Sequence, residues 1–100
     1  MYGLIAQMIA VPGRRDELVA LLAEATADMP GCLSYVIAED MANPDAIWIT
    51  EIWTSADDHR RSLNLPLVKD TIAEARPLIA GFGSRTETRP LGGQGLARTG

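Results

Sequence analysis

Two hydrophobic periods divide the chain. Residues 2 to 11 (Tyr-Gly-Leu-Ile-Ala-Gln-Met-Ile-Ala-Val) are apolar almost throughout, interrupted at Gln7. Such a run suits a strand covered on both faces. Pro12-Gly13 ends it. From Arg14 to Asp28 the spacing becomes that of a helix, with Leu18, Leu21, Leu22 and Ala25 on one face and Arg15, Glu17 and Glu24 off it. Met29-Pro30-Gly31 is the predicted stop, glycine suiting a C-terminal cap and proline opposing continuation. A second strand is predicted over 33–40, a turn over 41–45 punctuated by Asn43-Pro44, and a third strand over 46–54.

Ser55 followed by Asp58 has the form of a capping box with Asp in place of Glu, and it opens a short helix from Ala56 to Leu63. Pro66 suits the first position of a further helix, which runs to Arg76 and is stopped by Pro77. Residues 81–90 are polar and alternating, and Thr86 and Thr88 favour extended backbone, which predicts a last strand. The glycine-rich end reads as a mobile tail, so the chain divides into one domain at 1–90 and a flexible tail at 91–100. The order β-α-β-β-α-β is that of a ferredoxin-like α+β fold, a four-stranded antiparallel sheet with its helices on one face.

That arrangement leaves one sheet face without helices. The third strand presents Ile47, Ile49, Glu51 and Trp53 on one side and Ala46, Trp48, Thr50 and Ile52 on the other. Neither side is polar. Burying a large apolar side chain stabilises by roughly 1.5–3 kcal/mol, so a second copy is the expected cover, in a two-fold homodimer joined sheet to sheet.

Composition narrows the function classes. At 100 residues, 47% apolar and 22% charged, the chain suits a single soluble globular domain. Its net charge of −4, with no Lys/Arg cluster, argues against nucleic acid, whose binding depends on neutralising phosphates. No apolar run approaches the roughly 18 residues of a membrane span. The amino terminus reads as a strand and not as a signal peptide, so a cytoplasmic protein is expected. Cys32 is the only cysteine and His59 the only histidine, too few for a closed structural zinc site. No nucleotide-binding glycine loop is present, and no helix follows Gly92-Gly93-Gln94-Gly95. Neither a cofactor nor a metal is therefore expected.

The chemistry concentrates between residues 47 and 65. Glu51 and Trp53, two apart on a strand, share a side, and the Thr54-Ser55 corner turns the helix carrying His59 back toward them. A carboxylate, an indole and an imidazole then converge on one pocket. The alternative is that Trp53 is core, Glu51 an edge charge and His59 a solvated helix residue. Cys32, just after a tight turn, reads as a small buried thiol, and Arg60 and Arg61 as solvated charges or partners of Asp57 and Asp58.

The segment Ala10-Val11-Pro12-Gly13-Arg14, the turn Pro30-Gly31-Cys32-Leu33-Ser34-Tyr35, Asn43-Pro44, Glu51-Ile52-Trp53 and the following His59 together make the chain similar, over residues 2–90, to the antibiotic biosynthesis monooxygenase family. The resemblance implies a dimeric α+β barrel with a cavity between sheet and helices in each subunit. Members include cofactor-free oxygenases of anthrone or quinol-type aromatics, more distant haem-degrading enzymes, and an isomerase of a sugar-phosphate-like substrate. Trp53 matches the family's cavity-lining tryptophan. Where the anthrone oxygenases carry asparagines, this chain has Ile49 and, on the first strand, Ala6 or Gln7. Where the haem-degrading members carry an axial histidine, it has Thr71-Ile72-Ala73, so haem is not expected.

The resulting expectation is a monooxygenase that oxidises a small quinol or polyphenolic aromatic with dioxygen and without cofactor. Such an enzyme needs a base matched to the working pH and an apolar pocket for the substrate anion. Imidazole titrates near about 6.5, which makes His59 the first candidate base, with Glu51 the second if burial raises its pKa. Trp53 would stack on the ring. Ile49, Tyr35 and Arg85 complete the substrate-binding candidates, Tyr35 for hydrogen bonding and Arg85 for an anionic oxygen. Two other readings use the same cavity: a proton-shuttling isomerase, favoured by a cavity too narrow for a fused aromatic, and a non-catalytic ligand-binding stress-response dimer.

Overall fold

The apolar run at the amino end becomes β1 (Tyr2–Ala10) in a computed structural model that describes residues 1–96. It is followed by α1 (Arg15–Ala25), β2 (Cys32–Glu39), β3 (Ala46–Trp53), α2 (Ala56–Ser62), α3 (Pro66–Ala75), a 3₁₀ turn (Arg76–Leu78) and β4 (Ile79–Thr88). The four strands form one antiparallel sheet in the order β2-β3-β1-β4. This is the expected ferredoxin-like α+β fold, with its second helical segment in two pieces. The break falls at Leu65, whose extended ψ of 133° precedes Pro66, as proline disfavours helical backbone in the residue before it.

α1 ends three residues before the predicted limit. The Thr26 hydroxyl and backbone N–H both donate to the Leu22 carbonyl, at 2.7 and 3.1 Å, and this local bonding competes with helix propagation. β4 starts two residues before the predicted limit because Pro77 lies inside the 3₁₀ turn, after which Leu78 accepts from the Val11 N–H at 2.8 Å. Of the expected tail, Leu91 to Leu96 carries no helix or strand, and residues 97–100 lie outside the described residues.

Strand register assigns every side chain to a face. On the helix side, Tyr35, Glu51, Leu4 and Glu87 form one row, Ile37, Ile49, Ala6 and Arg85 the next, and Glu39, Ile47, Met8 and Phe82 a third. Leu18 and Leu22 of α1 pack on Ile47, Ile49 and Ala10 in the main core, joined by Ala75 and Leu78. Arg15 departs from its predicted place on the solvent side of α1. Its guanidinium donates to the Asn43 and Ala46 carbonyls and pairs with Glu39 at 3.1 Å, so it pins the β2–β3 hairpin to the helix.

The opposite face carries Ile5, Ile9, Val36, Trp48 and Ile52 among Gln7, Thr50, Thr86 and Thr88. Its one polar knot is Asp40, which accepts from Trp48 Nε1 at 2.8 Å, Gln7 Nε2 at 3.1 Å, and the backbone N–H groups of Ala42 and Asn43 at 2.7 and 3.0 Å. Gly83 makes room for it: a Cβ there would collide with the Gln7 side chain, which crosses β4 at the bulge between the Ala6 and Met8 pairings. Among the described residues, no helix is long and apolar enough to cross a membrane.

Backbone donors at Ala42 first, then the Trp48, Asn43 and Gln7 donors, hold the Asp40 carboxyl below the usual aspartate range. Its stabilising contribution is full above the ordinary aspartate pKa of about 3.9 and is lost as pH falls through the lower folded-state value. Asp40→Asn turns an amide N–H toward donors that need an acceptor. The variant should melt below wild type at pH 7, with the difference shrinking toward pH 2 in thermal unfolding. Equal melting at pH 7 would show that the knot contributes nothing.

Candidate active site

Trp53 closes β3 and is fully buried. An indole buried this deeply needs a partner for its N–H, and the strand supplies one two residues back: Trp53 Nε1 donates to Glu51 Oε1 at 3.1 Å. The chain then turns sharply. Thr54 N–H donates to the Gly31 carbonyl at 2.9 Å, and Ser55, in extended backbone, accepts from the Asp58 N–H through Oγ at 3.1 Å to start α2. Only half of the predicted capping box forms. The Asp58 carboxylate bonds to the Thr54 hydroxyl and Arg61 instead of returning to Ser55. Gly31 is required here twice, for its φ of +81° and because a Cβ would stand 2.7 Å from the Asp58 side chain.

This corner delivers His59. Its Nε2 lies 3.8 Å from Glu51 Oε1, with both side chains largely buried. The separation is that of an ion pair and too long for a direct hydrogen bond. The imidazole is held between two rings, edge-on to Trp53 and tilted over Tyr2, each with centroids 5.5 Å away. Tyr2 faces Trp53 across the β1–β3 pair, and its hydroxyl donates to Glu87 at 2.9 Å. Nothing in a strand-one tyrosine announces this role; only the register brings it to the histidine. Arg60 and Arg61 pair with Asp57 and Asp58.

Burial raises the Glu51 pKa above the ordinary carboxylate range, opposed by the Trp53 N–H and the charges of His59 and Arg85. Tyr35, its neighbour across β2–β3, has its phenol pushed up chiefly by burial and further by the Glu51 charge, so it remains a protonated donor. Burial also raises the half-buried Cys32 thiol, which leaves it less reactive than a free cysteine.

Glu51, Trp53, His59 and Tyr35 line one cavity of about 160 Å³, walled otherwise mainly by apolar residues such as Met29 and Val68. A cavity of about 150 Å³ is known to hold benzene, so the volume of this chamber is that of one six-membered ring. Ile49 stands in the core under α1 and not in the cavity wall. Arg85 shares the helix-side face but is exposed, beside Glu87 at 4.0 Å, and does not line the chamber. Ser62 and Thr71 line it without having been singled out. Both follow from the helix spacing of α2 and α3 only once the helix orientations are known. Among the described residues, no three His, Cys, Asp or Glu side chains gather as a metal site.

The model of the family described as antibiotic biosynthesis monooxygenase matches residues 1–74. A crystal structure from Chloroflexus aurantiacus J-10-fl, provisionally named an antibiotic biosynthesis monooxygenase, is 56% identical, with a TM-score of 0.93 over 96% of this chain and 98% of that one. A Deinococcus radiodurans structure of the same provisional name is 26% identical, with a TM-score of 0.75 and full coverage of both chains. A Mycobacterium tuberculosis protein shares the fold at 23% identity and a TM-score of 0.77, over 93% and 97% of the two chains. No curated protein matches.

The raised Glu51 pKa sets a pH dependence. A carboxyl that holds its proton more tightly when folded contributes stability below its unfolded pKa and loses it as pH rises through the folded value. Wild-type stability should therefore decline from the ordinary glutamate range upward. Glu51→Gln keeps an oxygen for the Trp53 N–H and removes the charge, so it should flatten this decline and match or exceed wild type at pH 8 in urea unfolding. A Gln variant that retains the full slope would assign the pH dependence elsewhere.

Proposed function

The chain belongs to the antibiotic biosynthesis monooxygenase family, and from that premise we propose that it is a cofactor-independent oxygenase of a single-ring quinol or related polyphenol. One observation carries the reading: a buried carboxylate, held by the Trp53 indole and 3.8 Å from the only imidazole, stands in the wall of an apolar chamber of one-ring size.

In this reading the ring lies against Trp53 and His59 accepts a phenolic proton. Glu51 supports the imidazolium that forms, and Tyr35, kept protonated, donates to the phenolate oxygen. Exclusion of water leaves the anion electron-rich. It reduces dioxygen, and a carbon–oxygen bond forms at the ring. One oxygen atom stays on the product as a hydroxyl and the other leaves as water. A hydroquinone C₆H₆O₂ with O₂ thus gives hydroxybenzoquinone C₆H₄O₃ and H₂O. The substrate supplies all four electrons, so the balance calls for no external reductant.

The small chamber also favours a second reading, in which the same proton transfer serves an isomerase that consumes no oxygen. The two share His59 and Glu51 and separate on the oxygen electrode. The same proposal includes a second copy against the outer face of the sheet, where Ile5, Ile9, Val36, Trp48 and Ile52 form an apolar band that no helix among the described residues covers.

Removing a positioned base lowers rates by roughly 10²–10⁴-fold. His59→Ala should cut oxygen uptake with a hydroquinone panel by at least about a hundredfold, measured at a temperature where the variant is fully folded, because losing a buried ring beside Glu51 also lowers stability. Loss below tenfold would remove His59 from the chemistry, and turnover of substrate without oxygen uptake would favour the isomerase. Ile52→Glu, on the outer face, should halve the sedimentation mass. A wild-type monomer at micromolar concentration would refute the paired assembly.

A further inference from the structure

The one-ring chamber has a larger neighbour. Met8, Leu22 and Ile72 line it, and the same three side chains line a second, larger space of about 480 Å³ between α3 and the β1–β4 side of the sheet. They stand at the boundary of the two. Beyond it the wall is Ala75, Ile79 and Phe82, with Arg76 the one charged residue. Apart from the Arg76 guanidinium, nothing there can hydrogen-bond a phenol or an oxyanion through its side chain. The outer space alone falls within the roughly 300–1,000 Å³ of ordinary small-molecule pockets. Phe82, 69% exposed, stands in this outer wall as a large aromatic side chain left wet by the isolated chain.

We infer that the ligand of this protein is a single aromatic ring bearing a long, flexible apolar tail, with the ring in the inner chamber and the tail passing between Met8, Leu22 and Ile72 into the outer one. The inference rests on the reading that the ring lies beside Trp53. It adds the substrate class: an alkyl- or isoprenoid-type quinol or phenol instead of a bare ring or a fused polycycle. The chamber volumes divide the work. The inner one holds the reacting group and excludes anything wider than a ring, while the outer one supplies binding energy remote from the reacting atoms, which can be used to hold the ring in place.

The test is a series of 2-n-alkylhydroquinones, methyl to octyl, titrated calorimetrically under nitrogen against wild type and Phe82→Glu. Phe82 is exposed, so the variant should fold. Burial of each methylene should tighten wild-type binding by roughly two- to fourfold until the outer chamber is filled. Phe82→Glu should flatten the series while leaving the methyl member unchanged. A flat wild-type series, absence of binding by every member, or a slope indifferent to Phe82→Glu overturns the inference. So does a variant that changes the sedimentation mass, since the outer space would then belong to a contact with a second copy. Readmitting oxygen separates this result from the proposed function. Turnover of short members with a flat binding series removes the tail and leaves the oxygenase. A graded, Phe82-dependent series without oxygen uptake keeps the tail and removes the oxygenase.

Discussion

A carboxylate buried at the end of a strand is the constraint around which this molecule is organised. Glu51 lies under helices with 9% of its surface exposed, and an unpaired charge in such a place is strongly disfavoured. Three features relieve it. The Trp53 indole donates to it from the same strand face, the Ser55 corner folds α2 back to bring His59 within 3.8 Å, and Tyr2 completes the aromatic enclosure of the imidazole from β1. The partners fix the strand end, the turn and the helix together. A substitution at any of them disturbs both packing and charge, which makes Trp53→Ala a poor probe of chemistry.

The two faces of the sheet handle polarity differently. On the helix side a titratable group is sequestered with its pKa raised, where it can take part in proton transfer. On the outer side Asp40 is held by four donors with its pKa lowered, and it stays ionised. Both are single carboxylates beside a tryptophan N–H. What separates them is the balance of desolvation against donor count: one indole and a nearby imidazole for Glu51, and two backbone amides plus two side chains for Asp40. The first arrangement suits reactivity and the second suits anchoring.

The fold was legible because its signals are local and redundant. An unbroken apolar run, strand and helix periodicity, and a cap marked the strands and α-helices, Pro and Gly marked the ends, and the order alone selected the topology. The errors have local causes of a kind that periodicity does not carry: the Thr26 hydroxyl ending α1 early, and Pro77 riding within a 3₁₀ turn. Glu51, Trp53 and His59 could be brought together on paper because strand parity and a cap suffice to do it. Tyr2 could not, since its place depends on which residue of β3 it faces. Nor could Ile49 and Arg85 be sorted from the cavity wall. Ile49 shares a strand face with Glu51 yet lies where α1 covers the sheet, and Arg85 shares the helix-side face but sits on the edge strand, in solvent. Sequence gives the face; the helix footprint decides which part of that face is core, which is cavity and which is wet.

The strand order has a further meaning for how the chain comes to be folded. β1 is made first, yet it lies inside the sheet, with β3 on one side and β4 on the other, and the last of these ends at Thr88. Neither neighbour is adjacent to it in sequence. Until β4 emerges, β1 has an unpaired edge and two apolar faces, the combination that invites pairing with another chain. Contacts this distant in sequence also close slowly. Between the synthesis of β1 and that of β4 the nascent polypeptide therefore carries this strand with an open edge, and any delay in that interval prolongs its exposure.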